Sequence, residues 1–346
     1  MYDFVKMSRY AGMREDLVQA GGGNSSFKID KDRMAIKASG YQLAELTGRK
    51  GYAVVNYQRI RDAFMSCNHL ESMTDEESKA VLSDAFIEGE KPSIETFLHA
   101  ISGTYTLHTH PIVVNAMTCR RGGMERLSEI FPEALIVPYA TPGVGLAKAF
   151  FGAIKAKVND ERKIYDLVFL QNHGLVVSAE TADEVINKTE EITKRLEAEL
   201  HCNCNYEDYH QLTTLWGYFP DKIIWKVTDS NLLNAAKELG GTWDHQFCPD
   251  CVVFLGKKML CIDNSDDSKT IANYIEENGI PVMVKLGNNY YLIADSVKKA
   301  METQSVMSFS AQVMLLNKNC ECNFLSSQEQ DFLLNWDAEK YRKNAR

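Results

Sequence analysis

The sequence contains no uninterrupted apolar run of the ~18–20 residues that a membrane-spanning helix requires, so a helical membrane protein is not expected. It also lacks a basic cluster. Its 38 lysines and arginines are outnumbered by 47 acidic residues, giving a net charge of −9. Without a basic face there is no electrostatic footprint for nucleic acid, and a phosphate ligand would need a local positive pocket built against the protein's own field. The opening MYDFVKMSRYAGMRED has no basic stretch followed by an apolar one, so it does not read as an export signal. The nine cysteines are therefore expected to be reduced thiols of a cytoplasmic protein. Nucleotide-binding loops are missing as well. No G-x-x-x-x-G-K-[ST] occurs, GGGNSS lacks the third glycine of G-x-G-x-x-G and a strand before it, and PGVG (142–145) reads as a loop before a helix.

What is present suits two domains, with enough apolar sequence to fold without disulfides: 346 residues, 45% of them hydrophobic. In the first 205 residues, segments of helical and strand period alternate. Residues 3–19 fit a helix, SFKID and RMAIKAS a hairpin, and YAVVN a strand. Residues 72–90 read as an acidic helical excursion. A helix is expected to open at Pro92, where a missing N–H costs nothing. TYTLHTHP is a strand stopped by Pro111, ALIVPY another, and GLAKAFFGAIKAKV a helix. DLVFLQNHGLVV supplies two strands around a turn at Asn172–Gly174, followed by a charged amphipathic helix over 181–200. This pattern predicts a three-layer α/β/α domain around a central β-sheet, residues 1–205. Residues 206–346 begin a smaller α/β domain: helix DSNLLNAAKELGG, strand hairpin CVVFLGKKMLCID, helix SKTIANYIEENGI, strands PVMVKLG and NYYLIAD, and a helix from Ser296. A docked C-terminal helix follows, opening with a Ser326–Glu329 capping box.

Chemistry concentrates in the first domain. In His108-Thr109-His110 the two imidazoles stand two residues apart on a strand, so they share a face and can hold one cation. His173, in the turn after DLVFLQ, is the natural third ligand, completing the His₃ set with an open position that catalytic zinc uses. Ordinary core histidines are the competing explanation, but only eight histidines exist in the chain and these three fall at strand ends and in a glycine-bearing turn. Glu95 lies in what should be the first turn of a helix, where the dipole favours a carboxylate in any case. The functional alternative turns it toward the open side of the metal, as ligand or as general acid/base. His99, four residues on, is read as a supporting residue.

GGGNSS (21–26) offers successive unobstructed backbone N–H groups, an anion nest. KASG (37–40) adds a hydroxyl and the nearby Lys37, and Ser93 sits where a helix N-terminus would favour phosphate. Elsewhere, Cys248-Pro249-Asp250-Cys251 reads as two cysteines flanking a Pro-Asp turn before an apolar strand. His245 lies just before it, but a zinc ribbon would need a second ligand pair, and the spacings of Cys202/Cys204 and Cys320/Cys322 are not those of a structural site; redox activity is a third reading that nothing else in the sequence supports. The aromatics Trp216, Tyr218, Phe219 and Trp225 are expected in the core or at an interdomain contact, and Trp336 and Tyr341 to pack the tail against the body. FPDKIIW (219–225) and CPDCVVF (248–254) echo each other over too short a stretch to mean a repeat.

GGGNSS, KASG, PSIE, HTHP, PYATPG and QNHGL, in that order over roughly residues 1–200, resemble the class II aldolase/adducin family. PSIETFLHA and HTHP look most similar to the aldolase half of bifunctional rhamnulose-phosphate aldolase/dehydrogenase proteins. The resemblance implies a phosphate site lined by Gly23 and Asn24, then Ser39 and Gly40, then Ser93. It implies Glu95 as acid/base and a zinc ion (or another divalent metal) on His108, His110 and His173. The implied activity is retro-aldol cleavage of a ketose phosphate to dihydroxyacetone phosphate and an aldehyde, with dehydratase, 4-epimerase and non-catalytic adducin-like readings as alternatives. Glutamate at 95 favours aldolase or dehydratase over epimerase, and the three histidines disfavour a purely structural role. A small-molecule sugar phosphate is the implied partner, and a homo-oligomer, by family habit a tetramer, the implied assembly. The family's catalytic tyrosine stays open among Tyr105, Tyr139, Tyr165, Tyr206 and Tyr209.

Overall fold

The structure is a computed structural model that describes residues 1–65, 73–157, 164–204, 209–241 and 246–336. Tyr206, His245 and Tyr341 lie outside these residues. The chain divides into two compact units, Met1–Tyr209 and His210–Arg346.

The first unit is built on an eight-stranded mixed sheet, with strands β1 (Asn24–Lys28), β2 (Arg33–Lys37), β3 (Tyr52–Asn56), β4 (Phe86–Gly89), β5 (Tyr105–Thr109), β6 (Leu135–Val137), β7 (Leu167–Leu170) and β8 (Gly174–Ala179). Their spatial order is β4-β3-β2-β1-β5-β8-β7-β6, antiparallel except for the parallel β6–β7 pair. Helices cover both faces, giving the α/β/α layering expected. Tyr2–Gly12 and Ala182–Leu200 pack together on one face, and Tyr57–Met65, Thr96–Ala100 and Val144–Lys157 lie on the other.

Strand parity assigns the side chains. Phe27 of β1 meets Phe4 of the first helix and stacks on Tyr105 of β5, so Asn24, Ser26 and Lys28 must point to the opposite face. Asn24 is directly across from His108 in the β1–β5 register. His108 therefore shares Asn24's face, the one covered by Thr96–Ala100. Two large buried clusters form this layer, one including Ile36, Phe97 and Phe151, the other Leu98, Phe150 and Val176. Burying such side chains stabilises by roughly 1.5–3 kcal/mol each.

Several local expectations are corrected. The first helix ends at Gly12 rather than near 19. A Cβ on Gly12 would lie 2.1 Å from the Ala44 nitrogen, so the helix end closes directly on the short 3₁₀ helix Leu43–Glu45. The 72–90 stretch contains helix Asp75–Ala85 with a Thr74/Glu77 capping box, but its last residues pair as β4 on β3. Pro92 does not open a helix. Its backbone bridges to Ala38, and Ser39 N–H donates to Lys91 carbonyl at 2.8 Å. That extended pairing delays the helix to Thr96, with Glu95 as its N-cap residue.

The second unit has a four-stranded sheet made of β9 (Ile223–Lys226), β10 (Leu260–Ile262), β11 (Met283–Leu286) and β12 (Asn289–Ala294). The order is β10-β11-β12-β9, with β10 and β11 parallel and joined through helix Ser268–Asn278. Helix Val297–Leu316 packs against Ser230–Glu238 and Pro249–Leu255. The expected hairpin CVVFLGKKMLCID is only half strand, since Pro249–Leu255 is helical. Cys248 is its N-cap, Pro249 presets the first helical φ, Cys251 and Leu255 turn together into the core, and Gly256 ends it at φ +75°. An apolar run of this length does not distinguish a buried helix from a strand. The tail helix is Ser327–Asn335, with the Ser326/Glu329 capping box present. Among the described residues no helix is long and apolar enough to cross a membrane.

Candidate metal centre

His108 lies near the end of β5 and His110 just beyond it, while His173 occupies the β7–β8 turn. One ring nitrogen from each lies within 4.8 Å of the other two, so the three form a cluster able to hold a metal ion. The Nε2 atoms of His108 and His110 are 3.1 Å apart. Two ligands of a tetrahedral zinc, each at about 2.0–2.1 Å, stand ~3.3 Å apart, so the donor set fits that group.

The scaffold fixes these rings. His108 Nδ1 lies 3.0 Å from the Leu175 carbonyl. Donating its proton there leaves the Nε2 lone pair facing the cluster, the usual outer support of a metal-binding histidine. The His110 backbone N–H donates to the Leu17 carbonyl at 2.8 Å, anchoring the chain that carries the ring. The His173 carbonyl accepts from Asn115 Nδ2 at 3.1 Å. Gly174 is required by closeness: a Cβ would come within 2.2 Å of the Thr109 carbonyl oxygen. Gly22 is similarly constrained, with a Cβ 2.8 Å from His110 Nδ1.

Burial keeps the imidazoles neutral. It pulls His108 down to a pKa of about 3, with His173 adding to the shift. His110 falls to about 3 through burial, then through His108 and His173. Burial also lowers His173, against the opposing charge of Glu95. Metal ligation requires the unprotonated ring, so the site is in its binding form at neutral pH.

Glu95 closes the cluster. Its carboxylate oxygens lie 3.6 Å from His108 Nε2 and 3.5 Å from His173 Nε2. Asn24 Nδ2 donates to Glu95 Oε2 at 2.5 Å. The Asn24 side chain is thus taken up by Glu95, a contact that only the β1–β5 register reveals. Ser93 is buried and its Oγ accepts from Glu95 N–H at 3.3 Å. The antiparallel Ala38–Pro92 bridge sets exposed Ser39 against Lys91, so the Ser39–Gly40 turn runs away from Ser93. Gly23 has φ +71°, and a Cβ there would press on the His108 carbonyl oxygen at 2.8 Å. His99 supports from behind, fully buried with Nδ1 2.7 Å from Ser26 Oγ.

Sequence reasoning undervalued Lys37. It is only 3% exposed, and burial lowers its pKa while Glu95 and Glu45 oppose that shift. Its Nζ has a long 3.4 Å contact to the Gly21 carbonyl. It supplies the local positive charge that an anion would need in an acidic protein. The signal was its place at the end of β2, between apolar Ile36 and Ala38. Among the tyrosines, Tyr165 is buried, Tyr105 stacks on Phe27, and Tyr139 is 60% exposed, with its N–H on Gln171 of the His173 turn at 3.1 Å.

A family model, the class II aldolase and adducin N-terminal domain, matches residues 3–200. The chain belongs to this family. In Bacillus subtilis (strain 168), the uncharacterised oxidoreductase YuxG is 28% identical over 218 residues, 60% of this chain and 30% of that protein. The chain thus spans less than a third of the length of the curated relative it matches. Among solved structures, the N-terminal class II aldolase domain of a conserved Thermoplasma acidophilum protein is 26% identical, covering 57% of this chain and 92% of that one at a TM-score of 0.48. An L-fuculose-1-phosphate aldolase from Thermus thermophilus is 17% identical, covering 61% and 96% at a TM-score of 0.34. Family membership accounts for the mixed α/β fold and agrees with a divalent metal ion as occupant of the three-histidine cluster.

Proposed function

We propose that the chain is a zinc-dependent aldolase that cleaves a ketose phosphate to dihydroxyacetone phosphate and an aldehyde. One observation carries this reading: three neutral imidazoles converge on one point with the Glu95 carboxylate 3.5–3.6 Å from two of them. Zinc held by His108, His110 and His173 would supply Lewis-acid stabilisation of the negative charge that develops on the substrate's oxygens.

The protein's own groups do the rest. Glu95 protonates the carbanionic carbon left by C–C cleavage and removes that proton in the reverse direction. The Asn24 amide holds the carboxylate for that transfer, and the Ser93 hydroxyl accepts from the Glu95 backbone N–H. Gly23, Asn24, Ser39, Gly40 and Ser93 would line the phosphate site, with buried Lys37 supplying charge. Phosphate binding there contributes energy remote from the reacting bond and positions it. Assembly as a homo-oligomer, a tetramer by resemblance, would let a neighbouring copy supply the second acid/base.

The test is metal analysis of the purified chain with a coupled assay for dihydroxyacetone phosphate released from a panel of ketose 1-phosphates. Zinc together with triose phosphate release supports the aldolase. Zinc without cleavage of any substrate in the panel contradicts it and favours dehydration or epimerisation. Absence of bound metal after zinc loading would remove the enzymatic reading and favour an adducin-like binding protein.

A further inference from the structure

The proposed chemistry leaves the Cys248–Cys251 pair of the second unit unused. The two residues occupy the N-cap and third positions of helix Pro249–Leu255, so their side chains stack on one face of the first turn. Cys248 Sγ lies 3.4 Å from Cys251 Sγ and donates to it. A disulfide requires ~2.05 Å between sulfurs, a closure of roughly 1.4 Å within reach of side-chain rotation. The two thiols differ in access: Cys251 is fully buried, whereas Cys248 is partly exposed. Buried Ser310 of helix Val297–Leu316 opposes the upward shift that burial imposes on the Cys251 thiol. An accessible thiol thus sits directly against a buried one.

We infer that Cys248 and Cys251 form a reversible two-electron dithiol/disulfide couple that exchanges with low-molecular-weight disulfides. Cys248 is the entry point because it is the accessible sulfur. Burial pushes the Cys251 thiol up to about 12, with the Cys248 contact adding to the shift, so Cys251 does not react first. Cys248 gives its proton to solvent and bonds to one sulfur of the incoming disulfide, and the other sulfur leaves and takes up a proton. Cys251 then loses its proton and attacks Cys248 Sγ, expelling the second thiol. The protein's two S–H groups become one S–S bond, and one disulfide becomes two thiols. Ser310 favours this second step by hydrogen bonding the Cys251 thiolate as it forms.

The experiment uses the full chain in buffers of reduced and oxidised glutathione at graded ratios, quenched by alkylation and mapped by peptide mass. The expected product is a peptide in which Cys248 and Cys251 are joined with loss of two hydrogens and no glutathione, fully restored by dithiothreitol. Cys251→Ser should accumulate glutathione on Cys248, whereas Cys248→Ser should leave Cys251 unmodified. The inference is overturned if both thiols stay alkylatable at ratios that modify exposed Cys119 or Cys202. It is overturned equally if wild-type protein keeps glutathione on Cys248 without closing. Neither readout depends on the metal centre or on turnover.

Discussion

The two units bury polarity differently. In the first, Lys37, Glu95, His99 and His108 are all under 9% exposed, and His99 of helix Thr96–Ala100 packs over the sheet face that carries His108. In the second, the buried polar side chains among the described residues are neutral: Gln246, Ser265, Thr303 and Ser310. Burying a charge is costly unless it is paired and hydrogen-bonded, and a fold alone has no need for it. Some of the first unit's buried polar atoms also lack a protein partner, among them His173 Nδ1 and Asn24 Oδ1. Concentrated, incompletely satisfied polarity marks a site. The second unit has the composition of a core, with its one reactive cluster among the described residues at Cys248–Cys251.

The sharpest way to break this contrast is His108→Ala. Metal content and turnover are both expected to vanish, whereas Thr303→Val in the second unit should change neither. Metal analysis and the coupled assay on the two variants decide it. Next is Glu95→Gln, which keeps the shape of the side chain but cannot accept the proton. Turnover should fall by ~10²–10⁴-fold with metal retained, and a variant with full turnover would remove Glu95 from the acid/base role. Ser93→Ala should act mainly through binding. A hydrogen bond to a charged group is worth about 1.5–3 kcal/mol, so KM for the phosphorylated substrate should rise by roughly tenfold or more, with a smaller change in kcat.

Two stability measurements follow. Gly174→Ala forces a Cβ against the Thr109 carbonyl oxygen, and overpacking of this kind costs about 1–3 kcal/mol. Denaturant unfolding of the metal-free protein should show it, whereas alanine at Gly217, which has open space, should be tolerated. The buried histidines also give a pH signature. His99, His108 and His110 are held near 3 in the folded chain against an ordinary 6.5. Between those values the unfolded chain binds more protons, so stability is full above about pH 6.5 and declines as pH falls toward 3. Metal-free protein whose stability is flat between pH 7 and 4 would contradict their burial in neutral form.

Much of the first unit was legible because period and punctuation agree there. The two-residue step of His108 and His110 on a strand, the turn at Asn172–Gly174 and the hairpin of β1 and β2 depend on local geometry alone. What escaped depends on distant partners. The delayed helix start at Thr96 follows from the bridge of Pro92 to Ala38, and the grip of Asn24 on Glu95 follows from strand register. FPDKIIW and CPDCVVF make the same point. Both carry Pro-Asp before an apolar run, yet the first leads into β9 and the second is helix Pro249–Leu255. In one, Ile223 and Ile224 pair with β12. In the other, Cys251 and Leu255 pack into a helical core. Tertiary context decides between them, and no short window contains it.

The central claim is that His108, His110 and His173 together hold a catalytic divalent ion. The most direct measurement is the metal content of the 346-residue chain after zinc loading and desalting, compared with His173→Ala treated identically. About one zinc per chain in the wild type, lost in the variant while its folded circular dichroism is retained, is the expected result. A wild type that retains no metal, or a variant that retains as much, would contradict it.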